Sequence, residues 1–389
     1  MHPSDVVRKY LRPGDILSQR YRIEGFIGSG AYGSIFSAID DVTMERVAVK
    51  ALPPPSEGVN ETAIGRFHRE MKVVSTLRHA NVITMYDYGE TADRVVYMVL
   101  EYVDGPTLYD LVSDRRFAVG EALDVTRQIA SGLAAAHEQG VIHRDLKPQN
   151  IMLMAQRSGS YQVKVLDFGM AKLLQRINDE SIIQLTREGV AVGTPRYIAP
   201  EQARGKPVGP YSDIYALGLL MYEMFTGERA VKADSIETAI IAHVSREPLD
   251  LPEIERVPQH VQPILMKMIE KSVKKRYQNA GQLISDIDEL ERKIRRAAAG
   301  VKVPVAPTVG PSAEESASRL RSIHSAENLV LDYDRFEKLA PEKRKRGWSG
   351  RSARRKKDEI PFLRLPSSRI EWFETVLALL VAPAAFVLL

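Results

Sequence analysis

Gly28-Ser29-Gly30-Ala31-Tyr32-Gly33 runs directly into Ser34-Ile35-Phe36-Ser37-Ala38-Ile39, and the residues after the third glycine decide the fold. The G-x-G-x-x-G spacing by itself suits a dinucleotide-binding turn and a glycine-rich hairpin alike. A dinucleotide fold requires a helix to start at Gly33. Residues 34–39 have β character instead and offer no capping signal. The glycines therefore sit in a strand-turn-strand flap, where missing Cβ atoms let backbone N–H groups approach phosphate oxygens. From Tyr21 to Lys50 apolar and polar residues alternate between glycines, the pattern of a short antiparallel meander.

Outward from the flap, Val47-Ala48-Val49-Lys50 ends a strand in a lysine, ordinarily a solvated edge charge. The next segment argues against that ordinary role. Ile64, Phe67, Met71, Val74 and Leu77 recur at helical spacing, and Glu70 shares their apolar face. A carboxylate there needs a cation, because an unpaired buried charge costs several kcal/mol or is neutralised. Lys50 is the natural partner, and the pair would hold its ammonium against nucleotide phosphates. Val82 to Val103 reads as further strands, and Leu108 to Glu138 and Pro200 to Arg296 as helical, with strand-like pieces at Ile151–Met154 and Val163–Leu166. The chain is thus α+β, a small β-rich lobe carrying one key helix followed by a larger α-helical lobe.

In the second lobe stands His143-Arg144-Asp145-Leu146-Lys147-Pro148-Gln149-Asn150, and beyond it Asp167-Phe168-Gly169. Acidic residues near turns are usually caps. These types at this spacing fit one reaction: Asp145 to orient or deprotonate an attacking hydroxyl, Lys147 to neutralise a transferring phosphoryl, Asn150 and Asp167 as oxygen ligands to Mg²⁺. Phosphoryl transfer asks a protein mainly for positioning and charge neutralisation, which scattered loop residues can supply.

Composition sets the bounds. The 389 residues are 44% hydrophobic, enough for one large two-lobed domain with sequence left over. Cysteine is absent, so neither disulfides nor thiolate metal sites arise. Residues 1–14 carry charges and two prolines without an apolar run, unlike a secretory signal, so the catalytic part is expected in the cytoplasm. The net charge of +4 conceals an asymmetry: residues 338–369 hold 12 Lys/Arg against 3 Asp/Glu, leaving −3 on residues 1–337. The basicity is local, and a basic nucleic-acid-binding catalytic domain is not indicated.

With these motifs in place, the sequence resembles the eukaryotic-like (Hanks-type) serine/threonine protein kinases, especially the bacterial membrane-associated members, from Tyr21 to Arg296. The resemblance implies a bilobal protein kinase fold, ATP as phosphoryl donor, Mg²⁺ with Mn²⁺ as the alternative ion, protein substrates, and a dimer for autophosphorylation in trans. It implies that Ile27 to Ile35, with Gly28, Ser29, Gly30 and Gly33, cover the phosphates, and that Lys50 and Glu70 pair. Leu100 would be the gatekeeper, Glu101, Tyr102 and Val103 the hinge to adenine, and Ala48 and Met152 the covers of its two faces. Glu201, of Ala199-Pro200-Glu201, is expected to pair with Arg276, and Asp213 to brace the catalytic loop. Lys147 and Thr194 resemble serine/threonine rather than tyrosine kinases.

Departures concern regulation. Relatives usually carry two threonines eight and six residues before the position of Thr194; here these are Thr186 and Glu188. Arg144 calls for an anion, a phosphate on the segment Asp167–Glu201 in similar kinases, with Thr186 the first candidate acceptor, Ser181 the second, and Glu188 a partial built-in mimic. Arg229-Ala230-Val231 replaces the frequent proline-aromatic pair. A pseudokinase scaffold would lack one of Lys50, Asp145, Asn150 or Asp167, and none is lacking.

The expected organisation is an extension over 1–20, a catalytic domain over 21–296, a linker and basic segment over 297–371, and a hydrophobic segment over 372–389. Trp372–Leu389 contains one charged residue, Glu374, and as a helix would span about 27 Å against a hydrocarbon core of ~30 Å. This suggests a tail anchor in the cytoplasmic membrane, the basic run on the cytoplasmic side and almost nothing beyond. Competing readings are a solvated spacer and nucleic-acid binding; for the latter the basic run offers a single aromatic, Trp348, and no specific nucleic acid is expected.

Overall fold

The computed structural model describes residues 7–30, 33–52, 71–168 and 195–300. Glu70, Ser181, Thr186, Glu188, Thr194, and everything from 301 onward, including the linker, the basic run and the hydrophobic segment, lie outside them.

The small lobe is a six-stranded antiparallel sheet of order β1-β2-β3-β4-β6-β5, built from β1 (Ile16–Leu17), β2 (Tyr21–Gly30), β3 (Gly33–Asp40), β4 (Glu45–Leu52), β5 (Met85–Glu90) and β6 (Val96–Glu101). Gly28 faces Ile35 and Gly30 faces Gly33 across the β2–β3 hairpin, so the chain continues as strand after Gly33 and the dinucleotide alternative falls away. The glycines differ in purpose. A Cβ on Gly28 would meet open space, whereas one on Gly33 would lie 2.1 Å from the Ala51 carbonyl oxygen. Gly33 is required by the close approach of β3 to β4, a packing demand separate from any ligand.

Alternation along β4 assigns the two faces. Val47, Val49 and Ala51 enter a cluster with Tyr21, Ile23, Phe36, Ala38, Val95, Tyr97 and Val99. Leu52 joins Met71, Met85, Val96 and Met98 in another, where helical residues 71–74 begin. Ala48 and Lys50 share the parity of Leu52. The extension over 1–20 contributes to the first cluster: Val7, Leu11 and Leu17 are buried in it, β1 pairs with β2, and Ser18 Oγ lies 2.6 Å from the Tyr97 hydroxyl.

The large lobe consists of α1 (Leu108–Asp114), α2 (Val119–Glu138), the hairpin β7 (Ile151–Ala155) and β8 (Tyr161–Val165), then α3 (Pro200–Ala203), α4 (Pro210–Thr226), α5 (Ile236–Val244), α6 (Gln262–Met268) and α7 (Ala280–Gly300). Every residue of α4 from Ser212 to Thr226 is buried, the mark of a helix surrounded on all sides. It packs against α2, α6 and α7. The region read as helical over Leu108–Glu138 holds two helices. Thr107 and Asp110 form a capping box that starts α1, while Glu121 accepts from Ala118 N–H and grips Arg115 to start α2. At the other end α7 runs past Arg296 to Gly300, because Ala297-Ala298-Ala299 favours helix. Among the described residues no helix is long and apolar enough to cross a membrane.

Candidate active site

The loop 143–150 is fixed from beneath by one carboxylate. Asp213, 1% exposed at the first turn of α4, accepts from the backbone N–H of His143 and of Arg144, both at 2.9 Å, and from His137 Nε2 at 2.7 Å. His143 donates from Nε2 to the Leu166 carbonyl at 2.7 Å and accepts on Nδ1 from Asp145 N–H at 3.3 Å. Its ring lies 4.9 Å, centroid to centroid, from Phe168. With both nitrogens committed to opposite roles, the tautomer follows from the network. The loop is also strained: Arg144 has φ 69° and Asp167 φ 60°, left-handed values that non-glycine residues adopt at some cost.

On this frame Asp145 presents its carboxylate, with Lys147 Nζ donating to Oδ2 at 2.6 Å. Asn150, buried at the foot of β7, donates from Nδ2 to the Asp145 carbonyl at 2.8 Å, while its backbone carbonyl accepts from Leu166 N–H at 2.8 Å. The second bond brings the residue before Asp167 against Asn150. Lys50 reaches from β4 to donate to Asp167 Oδ1 at 2.6 Å, its side chain only 6% exposed. Burial, the largest single influence, would raise the Asp167 pKa, yet the Lys50 ammonium together with His143 and Lys147 holds the carboxyl below its ordinary value. The cation expected to meet Glu70 thus has Asp167 as its described partner.

The nucleotide residues inferred from sequence fall on β2, β3, β4, β6 and β7 and the segment just after β6. Ala48 and Leu100 are cross-strand partners in β4 and β6. Met152 in β7 bridges to Thr107, just after the hinge residues. The Glu101 side chain accepts from Lys164 at 2.8 Å and from Thr84 N–H at 3.1 Å, and its backbone N–H donates to the Thr84 carbonyl at 2.8 Å. Ile27 is half exposed on the flap.

Farther out, Arg276 donates to both oxygens of Glu201, at 2.9 and 3.2 Å, and to the Tyr211 carbonyl at 2.8 Å, and its guanidinium stacks over Tyr215. Gln202 then donates to the Arg144 carbonyl at 2.7 Å, tying α3 to the loop. Gln202, His137 and Lys164 are not singled out by the sequence. Each contacts a partner remote in the chain, for which residue spacing gives no signal.

The donor set suits a hard cation. Asp167 supplies a carboxylate, and Asn150, with its Nδ2 committed, has the amide oxygen left to offer. Among the described residues no group of three or more His, Asp or Glu forms a closed metal cage. Mg²⁺ is commonly held in this sparse way, completing its shell with water and substrate phosphate.

A family model described as protein kinase domain matches residues 21–286, and the chain belongs to that family. Among curated proteins it is similar to the serine/threonine-protein kinase pkn3 of Myxococcus xanthus, with 36% identity over 264 residues, 67% of this chain and 47% of the relative. It is likewise similar to the serine/threonine-protein kinase PknA of Mycobacterium tuberculosis, with 34% identity over 275 residues, 69% of this chain and 61% of the relative. The chain spans about half the length of the curated relatives it matches. The kinase domain of Mycobacterium tuberculosis PknI shares the fold, with a TM-score of 0.55 at 23% identity over 72% of this chain and 99% of that one.

Proposed function

We propose that the chain is an ATP- and Mg²⁺-dependent serine/threonine protein kinase that transfers the γ-phosphoryl group to protein hydroxyls. The observation that carries this reading is the loop 143–150, where Asp145 stands paired with Lys147 at 2.6 Å on a backbone fixed by the buried Asp213. In that role Asp145 orients the acceptor hydroxyl and takes its proton, while Lys147 neutralises charge on the transferring group. Lys50 holds the nucleotide phosphates. Asn150 and Asp167 would hold the ion, which when bound would neutralise charge on the phosphates. Ile27, Gly28, Ser29, Gly30, Gly33 and Ile35 cover the phosphates; Ala48, Met152, Glu101 and Val103 receive adenine.

Regulation belongs to the same proposal. Thr186 is the acceptor for autophosphorylation in trans, which needs a transient dimer, and Glu188 supplies part of its charge beforehand. The sequence of 372–389, preceded by the basic run, supports attachment to the cytoplasmic face of a membrane.

The test is transfer from γ-labelled ATP to the full chain and to myelin basic protein. Wild type should label both in the presence of Mg²⁺, and Asp145→Asn should label neither while melting at the wild-type temperature. Near-normal turnover in Asp145→Asn would sink the role given to that residue.

A further inference from the structure

His243 lies within α5, far along the chain from the catalytic loop, and is fully buried. Its two nitrogens have separate tasks. Nδ1 sits 2.9 Å from the Tyr215 hydroxyl, and Nε2 sits 3.1 Å from the carbonyl oxygen of Arg196. A carbonyl can only accept, so Nε2 carries the proton and Nδ1 accepts from Tyr215. The imidazole is thereby neutral and held in one tautomer, and burial depresses its pKa to about 4, consistent with that state.

The residue it holds is doubly tied. Arg196 also donates from Nη2 to the Ala233 carbonyl at 2.8 Å, so main chain and side chain are both fixed to the 227–244 region. Its neighbour Tyr197 donates to Glu223 at 2.7 Å, and Gln202 reaches the Arg144 carbonyl. Residues 195–203 therefore form a ledge between the catalytic loop and α5. Arg196 of this ledge also lines an open cleft of about 360 Å³, together with Tyr109 and Val112 of α1, Glu223 and Arg229.

We propose that His243 is a positioning residue for the protein substrate. By pinning the Arg196 carbonyl it sets the ledge and the cleft wall against which a polypeptide lies when its hydroxyl reaches Asp145. The inference rests on the protein kinase reading, and it gives His243 no contact with nucleotide or reacting atoms. Loss of the pin should therefore weaken protein substrate and leave ATP alone.

The experiment measures kcat, KM for myelin basic protein and KM for ATP on the full chain. Wild-type phosphorylation of myelin basic protein is the control for the kinase reading: without it that reading fails, and this inference with it. Given an active wild type, His243→Leu removes two buried hydrogen bonds and strands the Arg196 carbonyl and the Tyr215 hydroxyl, for which a rise of about tenfold in the protein KM is expected, with the ATP KM within about twofold. His243→Gln keeps a donor toward Arg196 and an acceptor toward Tyr215, and should recover most of the loss. Tyr215→Phe leaves the ledge untouched and frees the tautomer, so a smaller rise in the same constant is expected; it also serves if His243→Leu does not fold. An unchanged protein KM in the folded variants, an equal change in both KM values, or no recovery in His243→Gln overturns the proposal while leaving the kinase reading standing.

Discussion

Two ion pairs show how differently the lobes treat charge. Glu201 and Arg276 meet entirely inside the large lobe, with side chains 5% and 0% exposed. Their geometry is two-pronged, and the spare donors and acceptors are used: Ser212 Oγ donates to Glu201 at 2.7 Å, and Arg276 Nε donates to the Glu270 carbonyl at 2.8 Å. Lys50 and Asp167 meet through one described bond that links β4 of the small lobe to a residue just past β8, and the Asp167 side chain is 23% exposed. The first pair is closed on itself; the second, among the described residues, has coordination to spare. A closed pair suits a strut, because breaking it strands a desolvated charge. An open pair suits a site where an ion or phosphate must be admitted.

The sharpest way to break this contrast is to remove Lys50. Lys50→Met should lower kcat by about 10²- to 10³-fold, as expected for loss of a cation that stabilises developing phosphate charge, and should shift the melting temperature little. A large stability loss would make this pair a strut as well. Arg276→Met should behave oppositely, costing about 3–5 kcal/mol of stability by leaving Glu201 unpaired in the interior. Chemical denaturation measures it, and adding Glu201→Gln to the same chain should recover part of the cost.

A third expectation concerns pH. The folded-state pKa of His243 lies at about 4, below the ordinary 6.5, because burial disfavours the imidazolium. Between these values the unfolded chain binds a proton that the folded chain refuses, so stability present above pH 6.5 is lost as pH falls toward 4. His79, also lowered by burial, contributes with the same sign. Melting temperature followed from about pH 7 to about pH 4 should decline, and His243→Gln should make the decline shallower. The smallest effect is reserved for an exposed pair: Arg94→Ala, which loses a 3.4 Å contact to Glu90 with Arg94 half exposed, should cost under about 0.5 kcal/mol.

Much of this architecture was legible because it depends on local chemistry. The β character of Ser34–Ile39 separated a flap from a dinucleotide turn, and Asp145, Lys147, Asn150 and Asp167 lie in short stretches whose residue types and spacing suit one reaction. The same reading gave Gly33 to phosphate approach; the 2.1 Å clearance to Ala51 shows that the sheet demands it as well. What the residues concealed depends on distant partners. Val7, Leu11 and Leu17 are sparse among charges and prolines, and only the sheet shows that they belong to a core. The break between α1 and α2 was hidden by continuous apolar spacing, although Thr107 with Asp110 and Arg115 with Glu121 mark its edges. His243 carries no sequence signal because its meaning lies in Tyr215 and the Arg196 carbonyl, both contributed by other segments.

Residues 7–17 bear on how the small lobe behaves in solution. A chain trimmed to begin at Tyr21, where the family match starts, would keep every residue assigned to catalysis. It would also strip Val7, Leu11 and Leu17 from the cluster they share with Ile23, Val95 and Tyr97 and turn β2 into the sheet's open margin, with main-chain groups free to pair with another molecule. Such a protein should self-associate and scatter light on concentration or refolding, and its poor yield would be a matter of colloidal behaviour, not of damaged chemistry.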